Sequence, residues 1–386
     1  MVTINSANAA LKTMYLDVVA NQLNTKTHPF LAELEKTSQD VVGKLVKRLV
    51  PYGVNGGIGA GTESGSLPLA SENKYLLFES TLKNLYGTIE ITDKALKASN
   101  NDAGAFVNLL SAEMEGLCES SKWSFARMLY GNGSGELATG LATASGAYTF
   151  VFDKLNNVMV GQKVDVYVDG TFSHSTKIVS IDYGTKTLTL SDACTASMAD
   201  STKATTLYSA GSKDKEITGL GAIFDNNIPT IYGVSKQDYP FLKPISKTTL
   251  SLTEMDMMGA IDEAEEKSGS EINFICGAYD ARRAYQGLFQ NNKLNVDFTV
   301  LCGGYTAITF NGIPFLAEKF IDSKTIYFLN SDDFKIHELG DWAWIENDKG
   351  QILRQKEGYP THTATLVKYA ELVCARPGAQ AKLVIS

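Results

Sequence analysis

The apolar positions of this chain change period along its length, and the changes divide it into segments. Residues 9–23 carry a helical stripe of Leu11, Tyr15, Val18, Val19 and Leu23, and a second short helix is expected from Pro29, which suits a first-turn position. Short isolated helices are marginal in water, so this opening section reads as an arm whose apolar faces dock on something else. Residues 44–92 read as a long two-stranded excursion. Its outgoing limb holds Leu45, Val46, Leu49 and Val50, and its returning limb holds residues 75–78, Leu82, Leu85 and residues 88–91. The tip between them, GVNGGIGAGTESGSLPLASEN, carries Gly53, Gly56, Gly57, Gly59, Gly61 and Gly65 and almost no side chain able to pack. A ribbon of this length is at best marginal by itself, which predicts that it lies on a neighbouring subunit.

The longest helical pattern follows, over residues 102–130. Asp102 stands at its cap, and Phe106, Leu110, Met114, Leu117, Phe125 and Met128 form a one-sided stripe. Gly131-Asn132-Gly133 ends it with residues that tolerate left-handed backbone. At 1.5 Å per residue such a helix is about 40 Å long, enough to run along the edge of a flat molecule. From residue 151 to about 215 the texture changes to short alternating strands: 163–168, an Asp169-Gly170 turn, 176–182, a Tyr183-Gly184 turn, then 186–190. This reads as a small β-barrel or sandwich inserted into the chain, closed by a polar, small-residue stretch over 197–216. Beyond it, Ser251 or Thr253 begins a helix that stops near Gly269, a strand spans 272–276, and Asp280 opens a further helix. Strands dominate from Asp297, with hairpin turns at Asn311-Gly312 and near Lys349-Gly350 and a final alternating run over 363–374. The fold class is α+β, with the early helices expected to pack on the late strands.

Length and composition then narrow the function. At 386 residues the chain exceeds the usual size of one domain, and with 44% hydrophobic and 20% charged residues it is neither disordered nor membrane-spanning. The first residues lack a basic stretch, an apolar run and a small-residue cleavage pattern, so no secretory signal is read and a cytoplasmic start is expected. Cys118, Cys194, Cys276, Cys302 and Cys374 are odd in number and lack CxxC spacing, as buried reduced thiols would be. His28, His174, His337 and His362 lie far apart and match no zinc-ligand spacing. A formal net charge of −8 disfavours a sequence-independent grip on nucleic acid. GNGSGELATG, residues 131–140, lacks the Gly-Lys-Ser/Thr of a phosphate loop and follows a helix, so it reads as a helix terminator. Glu263, Glu265 and Glu266 read as the solvated face of one helix, and no nucleophile elbow or kinase motif is present. Trp342 and Trp344, two apart on an expected strand, point to one side and read as core or subunit contact. No catalytic, cofactor-binding or metal-binding residue is assigned, and an enzyme is not expected.

Several segments, in their order along the chain, resemble the major capsid proteins of tailed bacteriophages, the Hong Kong 97-like fold. They are TIEITDKALKAS (88–99) before the long helix, ARMLYGNGSGELATGLATA (126–144) at its end, CGAYDARRAYQGL (276–288) and TFNGIPFLAEKFIDSKTIYFLN (309–330). ITGLGAIFDNN with YGVSKQDYPFLKP (232–244) is similar to the junction before that family's axial domain. The resemblance implies an N-terminal arm over 1–43 and an extended loop over 44–92. It implies a peripheral domain from 93–150 and 331–375 built on the spine helix 102–130, an inserted β domain at 151–215, and an axial domain from 216–330 and 376–386. It also implies a structural protein that self-assembles as pentamers and hexamers into an icosahedral virion capsid, formed in the bacterial host cytoplasm and enclosing double-stranded DNA without sequence-specific binding. Partners would be further copies of itself, a portal, a separate scaffolding protein and a decoration protein, with no membrane. Because the recognisable arm begins almost at Met1, neither a fused scaffolding segment nor a large N-terminal cleavage is expected. An encapsulin-type nanocompartment shell shares the fold and is the alternative; a soluble enzyme with a barrel accessory domain would instead show a polar cleft and a small oligomer.

Overall fold

The computed structural model describes residues 28–94, 103–142, 149–192, 203–292, 298–300, 306–346 and 350–386. The expected arm helix over 9–23, the cap at Asp102, the residue Lys349, and Cys194 and Cys302 lie outside them, as do the side chains of Phe106 and Leu110.

Two hydrophobic cores organise the chain. The larger is shared by two sheets, the inner face of a three-stranded ribbon and the long helix Ala103–Tyr130; the smaller belongs to a barrel alone. In the first sheet the long strand Thr361–Cys374 is central. It pairs with Phe334–Trp344 and Arg354–Gln355 on one side and with Lys83–Thr92 on the other, and Glu35–Thr37 adds a parallel edge to Phe334–Trp344. The long helix crosses this sheet over Gly87, where a Cβ would stand 3.0 Å from Leu117 and 3.1 Å from the Ser121 hydroxyl, so a side chain there would make those two side chains give way by a few tenths of an ångström.

The second sheet has seven strands, in the order Ile245–Thr249, Ala381–Ile385, Thr325–Leu329, Phe274–Gly277, Ile313–Ala317, Thr306–Phe310, Phe298–Val300. Helix Glu254–Ser268 packs on its first two strands and helix Tyr279–Asn292 on Ile313–Ala317. Local chemistry sets the ends of these elements. Thr253 and Asp256 form a reciprocal capping box, and Gly269 closes the helix in left-handed backbone. Asn311-Gly312 takes positive φ at both residues (50° and 77°), the tight-hairpin geometry expected of that pair.

The barrel is closed and six-stranded, in the order Thr187–Leu190, Thr149–Phe152, Glu136–Ala142, Ala204–Ser209, Lys163–Val168, Thr171–Asp182. Phe150, Phe152, Val164, Val166, Ile178, Leu188 and Leu207 fill it. A start at residue 151 would cut the strand Thr149–Phe152, and the barrel takes in Glu136–Ala142 as well. That strand follows the glycine-rich helix end directly, and its one inward run, Leu137-Ala138, is too short to announce a strand by alternation.

The excursion over 44–92 differs from the two-limb expectation. Leu45–Tyr52 pairs with Lys74–Thr81 on one side and with the short strand Val41–Val42 on the other. After Leu82 the chain leaves the ribbon, and Lys83–Thr92 pairs instead with Thr361–Cys374 across ten positions. Both limbs have the same β-rich composition, so the sequence carries no mark of the change of partner. The run over 363–374 is likewise not half-exposed: both faces are covered in its second half, where Lys368 and Glu371 are buried polar members.

Candidate assembly surfaces

Alternation within the ribbon gives it two unlike faces. Val46, Val50, Leu76 and Phe78 turn inward and join the main core, where the Phe78 ring lies 5.5 Å from Tyr232. At the ribbon's far end Tyr52 stacks on Phe241 at 5.4 Å and meets Tyr239 edge-on at 5.8 Å. The Glu79 amide also donates to the Tyr232 carbonyl at 2.9 Å. The strands are therefore rooted on their own subunit. The outer face holds Lys47 opposite Glu79, ion-paired at 2.9 Å, then Leu49 opposite Leu77 and Pro51 opposite Tyr75. Leu49, Leu77 and Tyr75 are about half exposed, and beyond them Val54, Ile58, Leu67 and Leu69 on the tip are 84–88% exposed. Apolar atoms gathered in this way on an outer surface mark an interaction site.

Phe30, in the short helix Pro29–Glu33, is buried among Tyr130, Phe274 and Phe334. His28 precedes it, with its ring 5.3 Å from Phe320 and its Nδ1 3.3 Å from both Glu318 carboxylate oxygens. Residue 28 is thus fixed to the body.

The barrel joins the body through a narrow neck. Gly133 and Gly135 take φ of 84° and 80° on the way out, and the Asp214 amide donates to the Ser134 carbonyl at 2.8 Å on the way back. Arg127 of the long helix and Glu216 of the returning segment form a buried ion pair behind the neck, and Lys154 bridges to Asp322 at 2.6 Å in front of it. Between neck and body lies a polar cleft of about 650 Å³ lined by Tyr130, Asn132, Asp153, Asn157, Asp225 and Lys382 among others. The Tyr130 hydroxyl, Asn157 Oδ1 and Arg127 Nε are buried there without a hydrogen-bond partner among the described residues.

The residues singled out from sequence are dispersed. Cys118, Cys276 and Cys374 are buried; burial pushes the Cys118 thiol up to about 11 and the other two well above their usual range. His337 is buried with Nδ1 3.0 Å from the Gln39 carbonyl oxygen, and burial lowers its pKa; His362 lies 3.9 Å from Asp93, and His174 sits beside Ser173 on the barrel. Among the described residues no group of three or more His, Cys, Asp or Glu is placed to hold a metal ion. No helix of the described residues is long and apolar enough to cross a membrane. Trp342 and Trp344 are both buried, Trp342 edge-on to Phe125 of the long helix. Sequence reasoning passed over several buried charges. Lys236 donates to the carbonyls of Ala222, Ile223 and Asp225, Lys368 sits between Glu338 and Asp341, Arg127 holds Glu216, and Glu371 accepts from the Thr218 amide at 2.7 Å. A lysine and a glutamate inside the apolar run LVKYAELV were the one available signal.

The α+β fold of the chain is shared with a phage capsid shell chain. The chain superposes on a chain of the cyanophage A-1(L) capsid asymmetric unit with a TM-score of 0.54 and 13% identity, covering 94% of both chains. Weaker likenesses are to the capsid of a native GTA particle (TM-score 0.48, 10% identity, 94% and 91% covered) and to the SrpI encapsulin of Synechococcus elongatus PCC 7942 (0.46, 11%, 95% and 94%). The fold assignment rests on the cyanophage capsid. No protein-family model and no curated protein matches the sequence.

Proposed function

We propose that this protein is the major capsid protein of a tailed bacteriophage, assembling as pentamers and hexamers into an icosahedral shell around double-stranded DNA. The observation that carries the reading is the ribbon: on a capsid fold, its strands are rooted in their own subunit while its outer face and tip present apolar side chains to solvent. A monomer gains nothing from Leu67 or Leu69 in water, whereas a neighbour that covers them gains about 25 cal/mol for each Å² of apolar surface removed. The domain layout follows the same logic. The arm ends near residue 43 and the ribbon forms the extended loop. The sheet around Thr361–Cys374 with the helix Ala103–Tyr130 makes the peripheral domain, the barrel is the inserted domain, and the seven-stranded sheet is the axial domain. Obligate contacts of this kind commonly exceed roughly 2,000 Å² per interface, so many modest contacts close a shell of high collective stability. A separate scaffolding protein, a portal and a decoration protein complete the particle, and the acidic chain leaves the DNA free to be ejected.

Electron microscopy and light scattering of the purified full-length protein, alone and co-expressed with its neighbouring genes, test the reading. Closed shells, or rings of five and six subunits, are expected, with DNA in native particles. A monomer under every condition overturns the proposal, and native particles filled with an enzyme instead of DNA convert it to a nanocompartment.

A further inference from the structure

Three Asn-Gly pairs occur in the chain, at 55–56, 132–133 and 311–312. Such a pair can react with itself, because a glycine without a Cβ lets its amide nitrogen approach the preceding side-chain carbonyl carbon. The approach needs the backbone between the two residues to rotate, so the surroundings decide which pair reacts. At 311–312 the rotation is blocked: the pair is a tight turn with positive φ at both residues, and the Phe310–Ile313 ladder pair closes it. At 132–133 the neck holds the backbone. Gly133 has a φ of 84°, the Ser134 carbonyl accepts from the Asp214 amide at 2.8 Å, and the Ser134 hydroxyl donates to Asn132 Oδ1 at 2.6 Å while accepting from the Glu136 amide at 3.2 Å. The pair 55–56 has no such restraint, since the ribbon ladder ends at Tyr52–Lys74 and Asn55 stands beyond it in the tip. Its side-chain bonds stay within the tip: Oδ1 accepts from the Gly57 amide at 2.9 Å and Nδ2 donates to Asn73 Oδ1 at 3.1 Å. The first bond draws electron density from Cγ and stabilises the charge that a nucleophile places on Oδ1. Asn132 receives a bond of the same kind from the Ser134 amide at 3.0 Å, so backbone freedom, and not activation, separates the pairs.

We propose that Asn55 is a self-modification site, at which the Gly56 nitrogen displaces the side-chain amide as ammonia and water reopens the resulting ring to aspartate or isoaspartate. The Gly56 N–H gives its proton to a solvent base, its nitrogen bonds to Asn55 Cγ, and the Cγ–Nδ2 bond breaks as ammonia leaves. Water then adds to either carbonyl of the succinimide. Breaking the bond to Cγ restores the backbone with an aspartate, and breaking the bond to the Asn55 main-chain carbonyl carbon leaves isoaspartate, with the backbone routed through the side chain. Nothing is oxidised or reduced, and water is the co-reactant. Either product puts a new carboxylate between Val54 and Ile58, in a tip over 53–73 whose other charges are Glu63 and Glu72. The consequence rests on the shell reading above, in which the apolar tip is covered on assembly. Burying an unpaired carboxylate there is costly, so a free subunit has a limited time in which it can assemble.

Peptide mapping by mass spectrometry, with isoaspartate quantified, on free full-length subunits aged in mildly alkaline buffer reads the site. Conversion about tenfold or more faster at 55 than at 132 or 311 is expected. Gly56→Ala leaves Asn55 in place, and its Cβ would stand 3.4 Å from the Ser71 hydroxyl, an ordinary contact. The variant should slow conversion at 55 by about tenfold or more. For the consequence, aged wild-type subunits are separated by charge. The fraction that the peptide map shows modified at 55 should close shells with several-fold lower yield than the unmodified fraction, and fresh Asn55→Asp subunits should match it. Equal or faster conversion at 132 or 311, or conversion at 55 indifferent to Gly56→Ala, overturns the site. Fractions that assemble equally overturn the consequence for assembly and leave the site standing. Fresh wild-type protein that never assembles overturns the shell reading and the consequence with it, and the peptide map still decides the site.

Discussion

Buried charge is where single residues matter most in this molecule. Glu371 is fully buried, and burial raises its carboxyl to about 7, against the lowering pull of the Thr218 amide and of Lys83. A carboxyl whose folded pKa lies above its unfolded value favours the folded state while protonated. Its contribution is therefore most favourable below pH 4.5, falls as pH rises towards 7, and costs the fold about 3 kcal/mol above that. Glu371→Gln should remove this contribution, giving a denaturation midpoint that falls less than wild type between pH 4.5 and 7 and is higher than wild type at pH 8. Lys236 poses the opposite case, a cation satisfied by three carbonyls at the end of the short helix Leu220–Phe224. Lys236→Met leaves those carbonyls without their donor and should cost about 1–3 kcal/mol, read as a lower thermal midpoint. Such residues are hard to foresee, because a lysine in a strand is exposed far more often than buried. Only the neighbours brought by distant segments reverse that expectation here.

At the scale of elements, the ribbon and the barrel make separable contributions. The Tyr52–Lys74 pair is the last of the ribbon ladder, so deleting residues 54–72 leaves Gly53-Asn73 as a two-residue turn. The free subunit should keep its stability within about 0.5 kcal/mol in a thermal melt, since the removed side chains bury little. The yield of closed shells should fall at least several-fold by gradient sedimentation, and unchanged yield would refute a bracing role for the tip. The barrel has its own core, and its ends meet at the neck, where the Ser209 amide donates to the Gly135 carbonyl at 3.3 Å. Replacing residues 136–208 with two glycines should therefore leave a body that still unfolds in one cooperative transition, followed by circular dichroism. The excised segment should fold by itself. Elements whose ends are set by local chemistry were legible in the sequence: the capping box at Thr253, the Gly269 stop, the Asp169-Gly170 and Asn311-Gly312 turns. The change of partner at Leu82 was not, because pairing depends on which strand arrives and not on the propensity of either.

For the whole molecule, the two covered sheets and the filled barrel account for a stable subunit, and the exposed tip and the outer ribbon face lie outside that account. Their covering on assembly should appear as a gain in heat resistance. Shells are expected to melt at least ten degrees above free subunits at equal protein concentration, with a subunit midpoint independent of concentration and a shell transition that depends on scan rate. Equal midpoints for the two forms would mean that assembly buries too little to matter, contrary to the function proposed.

The sequence by itself determined the α+β class, the long helix, the helix caps and tight turns, the presence of a small β unit and the position of a glycine-rich tip. Each of these depends on periodicity or on residues within a few positions of one another. Tertiary structure alone decided that the ribbon is rooted through Tyr52, Phe78 and the 232–241 turn, and that the barrel begins at Glu136. It also decided that Lys83–Thr92 belongs to the body sheet, and that Lys236, Lys368 and Glu371 are buried. The physical reason is the same throughout: a strand's partner and a charge's surroundings are supplied by other segments of the chain, from about ten to nearly three hundred positions away, and no local pattern encodes their arrival.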